Sequence, residues 1–410
     1  MNLIIYLAEA FLIAYLMRSA AYKFKVPAVS GYVIGGVLLG GTLFIWIPGG
    51  RSFTDRWLFS EQVLSQLVFI TQIALGTIAL SIGVELEWKR IKSLGRSIFF
   101  IAFFEAFGTF FLVTLIIFLI WKNIPLALIL GAVSSATAPA ATVSVIQQYR
   151  SRGPLTNTIL AVVGIDDAIS FIIFAFALAV TKGQLQGNDI DIVSGLVKPV
   201  IEIVSAVVIG LLFGFLGGFL MKTVREPESL VFILGAVVLW ITGITELLKV
   251  SGLLANMASG VIIVNMYPHL KSKIRTGFSS FMPVFYALFF IIGGAHLNLY
   301  SLPLIWGLAI IYFISRSLGK IIGASAGAVM GNALPQVKKW IGFDLLPQVG
   351  AAIALALVVQ QELGKGDYGP AGVSLAQTTI NVLLVTTLIT EFIGPYLTKI
   401  SLFKAGEAKE

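Results

Sequence analysis

Two adjacent aspartates, Asp166 and Asp167, lie inside the apolar run VVGIDDAISFIIFA. Ionisable side chains at membrane depth are energetically costly, so they normally face a cavity or a partner and mark a transport path. Neighbouring residues on a helix point about 100° apart, so one carboxylate can pair with a cation while the other lines a cavity. Because two nearby carboxylates repel each other when ionised, protons and metal ions compete for them. The pair therefore predicts a site that holds either a proton or a small cation.

The opposite charge comes from the segment SRSLGKIIG, where Arg316 and Lys320 stand four residues apart on one helix face. Lysine changes its protonation state readily when it is buried beside a carboxylate, whereas arginine stays charged. We expect Lys320 to partner one of the aspartates. We expect Arg316 to form a permanent structural ion pair, with either Glu391 or Glu105. The alternative is that both basic side chains snorkel to the membrane surface, but they lie near the middle of a long apolar stretch.

The segment GAVSSATAPAATVSVIQQ is rich in small and hydroxylated residues and contains Pro139. Proline lacks a backbone N–H and disrupts the preceding turn, so the stretch from Thr137 to Thr142 is predicted to be unwound. Its hydroxyl and carbonyl oxygens are suitable ligands for a hard cation.

A second interrupted segment, LPQVGAAIALALVVQQ, contains Pro347 and Gly350 and ends much like the first. A pair of broken segments in matching positions of two halves is typical of an inverted-repeat transporter with its site near the bilayer midplane. The alternative explanation of the small residues is close helix packing.

The composition places these residues in a membrane. Of 410 residues, 58% are hydrophobic and 12% are charged, the mean hydropathy is +0.96, and an ordinary soluble domain has roughly a quarter charged residues. Continuous apolar runs predict spanning helices and argue against a transmembrane barrel.

The same composition excludes several classes of site. The chain has no cysteine and two histidines, so disulfides, thiolate metal sites and the usual zinc sites are not expected, and no cofactor is predicted. The net charge of +8 is scattered over short loops, which does not favour a nucleic-acid partner.

Thirteen spanning helices are predicted, in an all-α membrane protein. They cover 2–22, 27–47, 65–85, 97–121, 125–147, 155–181, 196–221, 228–247, 251–266, 279–298, 302–330, 345–361 and 371–398. About two thirds of the 28 lysines and arginines fall in the odd-numbered loops and the tail. The positive-inside rule then predicts an external N-terminus and a cytoplasmic C-terminus.

The order of several motifs resembles the membrane domain of the monovalent cation:proton antiporter superfamily, in particular bacterial electrogenic sodium/proton antiporters. The resemblance covers nearly the whole chain. Its motifs are KVPAVSGYVIGGVLLG, GIDDA, FFIIGGAHLNL, RSLGKIIG, LLPQVGAAIALAL and TEFIGPYLTK, in predicted spans two, six, ten, eleven, twelve and thirteen.

The resemblance implies a homodimer whose protomers alternate access by an elevator movement, with two discontinuous helices crossing in the core as part of inverted repeats. It implies dimerisation helices in 1–95 and 224–300, core helices in 96–181 and 301–400, a linker helix in 182–223 and a short solvated cytoplasmic tail, 401–410. It also implies an integral protein of the plasma, or inner, membrane of a bacterial-type cell.

The resemblance further implies roles for single residues. Asp167 matches the cation- and proton-binding carboxylate, and Asp166 matches the carboxylate that pairs with the helix-eleven lysine, here Lys320. Paired aspartates resemble the electrogenic members, which exchange two protons per sodium. The chain departs from several relatives at Ala138, where they carry an acidic residue. The ligands would then be the hydroxyls named above and backbone carbonyls.

We therefore expect a secondary active transporter, not an enzyme, that exchanges a monovalent cation for protons, with Na⁺ as the expected cation and Li⁺ as the alternative. The absence of a C-terminal nucleotide-binding domain favours sodium over the K⁺/H⁺ antiporters of the superfamily. A sodium-coupled organic-anion symporter on a related fold is the other alternative. A channel or an intramembrane enzyme finds no support, since the sequence has neither a filter-like repeat nor a nucleophile with a base.

Overall fold

The computed structural model describes residues 3–24, 28–40, 59–89, 95–186, 192–224, 226–296 and 302–408, and within these ranges all regular structure is helical. The first eight described helices are α1 Leu3–Phe24, α2 Ala28–Leu39, α3 Glu61–Gln66, α4 Val68–Glu85, α5 Gly95–Trp121, α6 Ile124–Ser134, α7 Pro139–Gln148 and α8 Pro154–Leu185. The next eight are α9 Ile192–Thr223, α10 Pro227–Leu248, α11 Gly252–Met266, α12 Leu270–Ala295, α13 Leu302–Met330, α14 Pro335–Asp344, α15 Gly350–Leu363 and α16 Gly369–Lys404.

Most of these helices have the length and composition of membrane spans. Among the described residues, eight helices are long and apolar enough to cross a bilayer. A ninth is α12, if its two parts, Leu270–Phe278 and Met282–Ala295, form one span bent by 52°. Four shorter helices, α2, α6, α11 and α15, are also apolar. The chain is an integral membrane protein, and the total of thirteen spans stays a prediction.

The helix boundaries agree with the predicted spans to within a few residues except at the tenth, the twelfth and the end of the thirteenth. The tenth was predicted to begin at residue 279, but α12 begins at Leu270, and α16 continues to Lys404 rather than ending at residue 398. Residues 335–344 form α14, which the apolar pattern does not reveal because Lys338 and Lys339 interrupt it. The predicted span 345–361 is therefore the break after α14 followed by α15. Part of the second predicted span, 41–47, lies outside the described residues.

The described helices pack mainly in two groups. One group contains α5 to α8 and α13 to α16, and the other contains α1, α2, α4 and α9 to α12. The aspartates on α8 and the basic residues on α13 thus belong to the same group. The first group also contains both interrupted segments.

Helices α5 and α13 approach each other closely because glycines recur every four residues on one face of α13, at Gly319, Gly323 and Gly327. A methyl group at Gly323 would overlap the carbonyl oxygen of Phe104 and lie 3.0 Å from the Cα atom of Glu105. Small residues at such spacing let helix backbones pack closely inside membranes. This packing places the middle of α13 directly against the middle of α5.

We predict that Gly323→Ala separates α13 from α5 and lowers the thermal stability of the purified protein. The matched control is Gly307→Ala on the same helix, where an added methyl group has no atom within 4 Å. That substitution should be neutral or slightly stabilising, since alanine is favoured over glycine in helices by roughly 0.5–1 kcal/mol. Equal melting temperatures for the two variants would contradict the close-packing account.

The first turn of α8 is capped by the C-terminal segment of the chain. Gly153, at the N-cap position, has no side chain to offer. Instead, the two carboxylate oxygens of Glu407 accept hydrogen bonds from the backbone N–H groups of Leu155 and Thr156, both at 2.7 Å. Gly406 adopts a φ of +74°, which turns the chain after α16 and directs Glu407 toward α8. The tail, expected to be solvated, is therefore partly buried.

We predict that Glu407→Ala destabilises the protein by about 1–2 kcal/mol, the usual cost of losing an N-terminal helix cap. Glu407→Gln keeps one acceptor oxygen but loses the negative charge at the helix N-terminus, so its effect should be intermediate. Thermal unfolding in detergent measures both. Wild-type stability of Glu407→Ala would show that the cap does not hold α8.

Candidate ion-binding site

Two interrupted helices meet at the centre of the first helix group. Residues 135–138 separate α6 from α7, and residues 345–349 separate α14 from α15. The two breaks touch directly, because the backbone N–H of Ala138 donates a hydrogen bond of 2.9 Å to the carbonyl oxygen of Pro347. Four helix ends with partial charges therefore converge on one small region.

The breaks differ in detail from the predicted ones. Pro139 is the first residue of α7 rather than part of the unwound stretch, because proline is well tolerated in the first helical turn, where its missing N–H is not needed. Helical structure therefore resumes well before Thr142. Pro347 lies within the second break, and Gly350 begins α15.

Arg316 holds the two breaks together. Its side chain is 1% exposed and donates three hydrogen bonds to backbone carbonyls. The acceptors are Ser134 at 3.1 Å, Ala136 at 2.9 Å and Leu346 at 2.6 Å. The planar guanidinium group has several donors in a fixed geometry, so one side chain can satisfy carbonyls from both broken helices. A cation here also complements the negative C-terminal end of α6.

The predicted ion pair between Arg316 and Glu391 is not present. Glu391 is buried on α16 and accepts a hydrogen bond of 2.9 Å from the hydroxyl of Ser30 on α2. The other expected partner, Glu105, interacts electrostatically with Arg316, although the guanidinium hydrogen bonds go to carbonyls. Arg316 bonds to carbonyl oxygens rather than to a carboxylate because the carbonyl groups of the two breaks lie within its reach and need hydrogen-bond donors.

Lys320 lies one turn further along α13 and is completely buried. Its ammonium group contacts the carboxylate of Glu105 on α5 and lies 3.8 Å from the Oδ2 atom of Asp166 on α8. It also donates to the backbone carbonyl of Ser135 and, at 2.7 Å, to the hydroxyl oxygen of Thr137. Three helices and one helix break thus converge on a single ammonium group.

The two aspartates have different surroundings. Asp166 is fully buried and interacts electrostatically with Glu105. Asp167 is only partly buried and interacts with Asp166, Lys320 and, on α12, Tyr286. One of its carboxylate oxygens and both of those of Asp166 are buried without a hydrogen-bond partner. Oxygens of this kind are available to a proton or a cation.

Glu105 is the residue whose role the sequence did not indicate. The sequence indicates it only as a partner for Arg316, whereas the structure places it against Lys320, with 0% exposure. The available signal was that Glu105 is the one acidic residue in the 27-residue helix α5. Which buried cation it meets depends on the register between α5 and α13, and that register follows from their glycine contacts.

The two hydroxyl groups predicted as cation ligands, those of Thr137 and Thr142, lie in different places. Thr137 reaches the site through its contact with Lys320. Thr142 is buried on α7 and donates a hydrogen bond of 2.8 Å to the carbonyl oxygen of Asp344, at the end of α14. The structure therefore uses Thr142 to join the two broken helices and does not show it at the carboxylates.

The charges of the site do not balance. Three carboxylates, Glu105, Asp166 and Asp167, face two buried cations, Arg316 and Lys320. Among the described residues, no group of three or more acidic or histidine side chains is arranged to hold a metal ion. A cation bound at the aspartates would therefore need hydroxyl, carbonyl or water oxygens as additional ligands.

Several known proteins resemble this chain. A Na⁺/H⁺ antiporter of Enterococcus hirae is 22% identical over 92% of this chain and 93% of its own length. The ammonium/H⁺ antiporter subunit AmhT of Alkalihalophilus pseudofirmus is 20% identical over 62% of this chain. Cation/H⁺ antiporter 19 of Arabidopsis thaliana is 22% identical over 78% of it. The chain spans only 61% of AmhT and 40% of the Arabidopsis protein.

The fold is also that of a solved transporter. The sodium proton antiporter MjNhaP1 from Methanocaldococcus jannaschii superposes with a TM-score of 0.74 over 98% of both chains, at 17% identity. The chain therefore has the sodium/proton antiporter fold. Residues 9–404 match the family model described as sodium/hydrogen exchanger, transmembrane. Because that match covers nearly the entire sequence, the chain belongs to the sodium/hydrogen exchanger family.

Proposed function

We propose that this protein is a secondary active transporter that exchanges a monovalent cation for protons. Sodium is the expected cation, with Li⁺ as the alternative, and exchange is expected to be electrogenic. The observation that carries the proposal is the group of buried carboxylates on α5 and α8 around one buried ammonium, at the contact between two helix breaks. The names of the Enterococcus and Methanocaldococcus relatives, both sodium/proton antiporters, support the same class of reaction.

In this proposal Asp167 is the carboxylate that takes the cation, because it is the more exposed member of the pair. Glu105 makes the closer contact with Lys320, so Asp166, whose Oδ2 atom lies 3.8 Å from that ammonium group, can also bind a proton. When a cation arrives, the negative charge it requires is produced by releasing protons from the aspartates. Two protons leaving for one Na⁺ would move a net charge across the membrane, which makes the exchange electrogenic.

The two groups of helices are the parts that we propose to move against each other. The group with α5 to α8 and α13 to α16 carries every residue of the site, so it corresponds to the proposed core. The other group corresponds to the proposed dimerisation domain of a homodimer, with α9 as the connection. An elevator movement of the core would expose Asp167 to one side of the membrane and then to the other. We place the N-terminus outside and the C-terminus in the cytoplasm of a bacterial-type plasma membrane.

We predict that Asp167→Asn abolishes cation-dependent dissipation of a pH gradient in proteoliposomes, because an amide carries no exchangeable charge. Na⁺, Li⁺, K⁺ and NH₄⁺ should each be tested, since the relatives include an ammonium/H⁺ antiporter subunit. The control is Glu9→Gln, which removes another carboxylate from a spanning helix, α1, and should leave exchange intact. Normal exchange by Asp167→Asn would contradict the site assignment.

We also predict that the apparent KM for the cation falls as the pH rises. The cation and the protons bind the same carboxylates, so their binding is linked and each weakens the other. Below the pH at which the site deprotonates, each unit of pH should change the apparent KM by about tenfold for every proton displaced. Initial rates over a range of cation concentrations and pH values measure this. A KM that does not vary with pH would rule out competition.

A further inference from the structure

A cavity of about 500 Å³ lies between the two helix groups, at the end of the molecule where α8, α10 and α15 terminate. It is lined by α4, α8, α9, α10, α11 and α15 and extends along the last three turns of α8. Ala175 is the residue of α8 that lines the innermost part of the cavity. It lies eight residues beyond Asp167, which is about 12 Å along the helix axis. The cavity therefore leads toward the ion-binding site from one face of the protein.

Lys182, at the end of α8, is the centre of an ion-pair network in the cavity wall. Its ammonium group lies 2.8 Å from the Oε2 atom of Glu362 on α15 and 3.5 Å from the Oε1 atom of Glu202 on α9. The lysine side chain is 12% exposed, but those of Glu202 and Glu362 are 20% and 41% exposed, so water reaches both contacts in part. The contact with Glu362 lies within the helix group that carries the ion-binding site. The contact with Glu202 joins that group to α9.

Two further links cross directly from one helix group to the other. Lys365, just after α15, lies 3.8 Å from the Oε1 atom of Glu246 on α10. The same carboxylate oxygen accepts a hydrogen bond of 3.3 Å from Gln72 on α4. Gln361 donates to the hydroxyl of Thr71, also on α4. Each of these two links, and that between Lys182 and Glu202, involves at least one residue that lines the cavity.

These polar contacts are of a kind that can break and re-form reversibly. Polar links between partly exposed side chains are individually weak, and they can re-form with water at little cost when the surfaces separate. An apolar contact of the same area would resist separation more strongly. Lys182, Glu246, Gln361 and Thr71 lie in the first or last turns of their helices and Lys365 follows α15, whereas Glu202 lies about three turns inside α9.

We propose that Lys182, Glu202, Glu246, Lys365, Gln361 and Thr71 form a latch, which holds the two helix groups together at this end of the protein and opens once in each transport cycle. This inference rests on the proposed exchange function and adds a gating role for residues away from the ion site. On opening, Lys182 keeps its short contact with Glu362 and releases Glu202. The other links break completely. With the N-terminus outside, the latch faces the exterior.

The first test uses the fact that the chain has no cysteine. Ala175→Cys places a single thiol at the inner part of the cavity, where the native side chain is 5% exposed. Its rate of modification by a charged methanethiosulfonate reagent is measured on purified protein in detergent. Adding Glu202→Gln together with Lys365→Met should raise the rate severalfold, because both ion pairs to the other group are lost and only the Gln361–Thr71 hydrogen bond remains.

The matched control for this test is Lys249→Met. Lys249 lines the same cavity and is exposed, but it has no ion-pair partner among the described residues. It should leave the modification rate unchanged. An equal or lower rate in the Glu202→Gln, Lys365→Met protein would overturn the latch. Neither result depends on transport, so this measurement is independent of the proposed function.

The second test asks whether the latch must open during transport. Glu246→Cys and Lys365→Cys are combined and joined by a short bifunctional thiol reagent that a reductant can cleave. In proteoliposomes, the joined protein should lose exchange and recover it after reduction, while each single variant is unaffected by the reagent. Full exchange by the joined protein would overturn the proposal. Absence of exchange in the wild-type protein would instead count against the proposed function.

Discussion

The structure depends on one buried ammonium group, that of Lys320. A buried charge is tolerated only when it is paired and its donors are satisfied. Here the partners come from separate parts of the chain, namely Glu105, Asp166, Ser135 and Thr137. Helices α5, α8 and α13 and the first helix break must therefore occupy fixed relative positions. Any arrangement that separated them would leave this charge without compensation in a low-dielectric interior.

The arrangement of helices follows from this requirement. Glycines on α13 allow its backbone to reach α5 closely enough for the lysine to meet Glu105. Arg316 binds carbonyls of both breaks and so prevents the unwound segments from moving apart. The Glu407 cap holds the beginning of α8, the helix that carries both aspartates. The contacts that hold the site thus lie within one helix group, as the proposed movement of that group as a unit requires.

The sequence was sufficient for much of this account. Apolar runs predicted the spanning helices, and the cost of burying charge identified Asp166, Asp167, Arg316 and Lys320 as a set. Side-chain partners were harder to predict, because they depend on helix register. Glu391 meets Ser30 rather than the arginine, and Thr142 meets the carbonyl of Asp344. The apolar pattern does not predict α14, because polar residues interrupt it there and the burial of this helix depends on tertiary packing.

If one carboxylate site holds either protons or a cation, binding of the cation must release protons, and this release can be measured. NaCl is added to purified protein in weakly buffered detergent solution, with choline chloride as the reference, and a pH indicator reports the protons released. We expect saturable release by the wild-type protein and none by Asp167→Asn. Binding of sodium without proton release, or equal release by both proteins, would contradict this expectation.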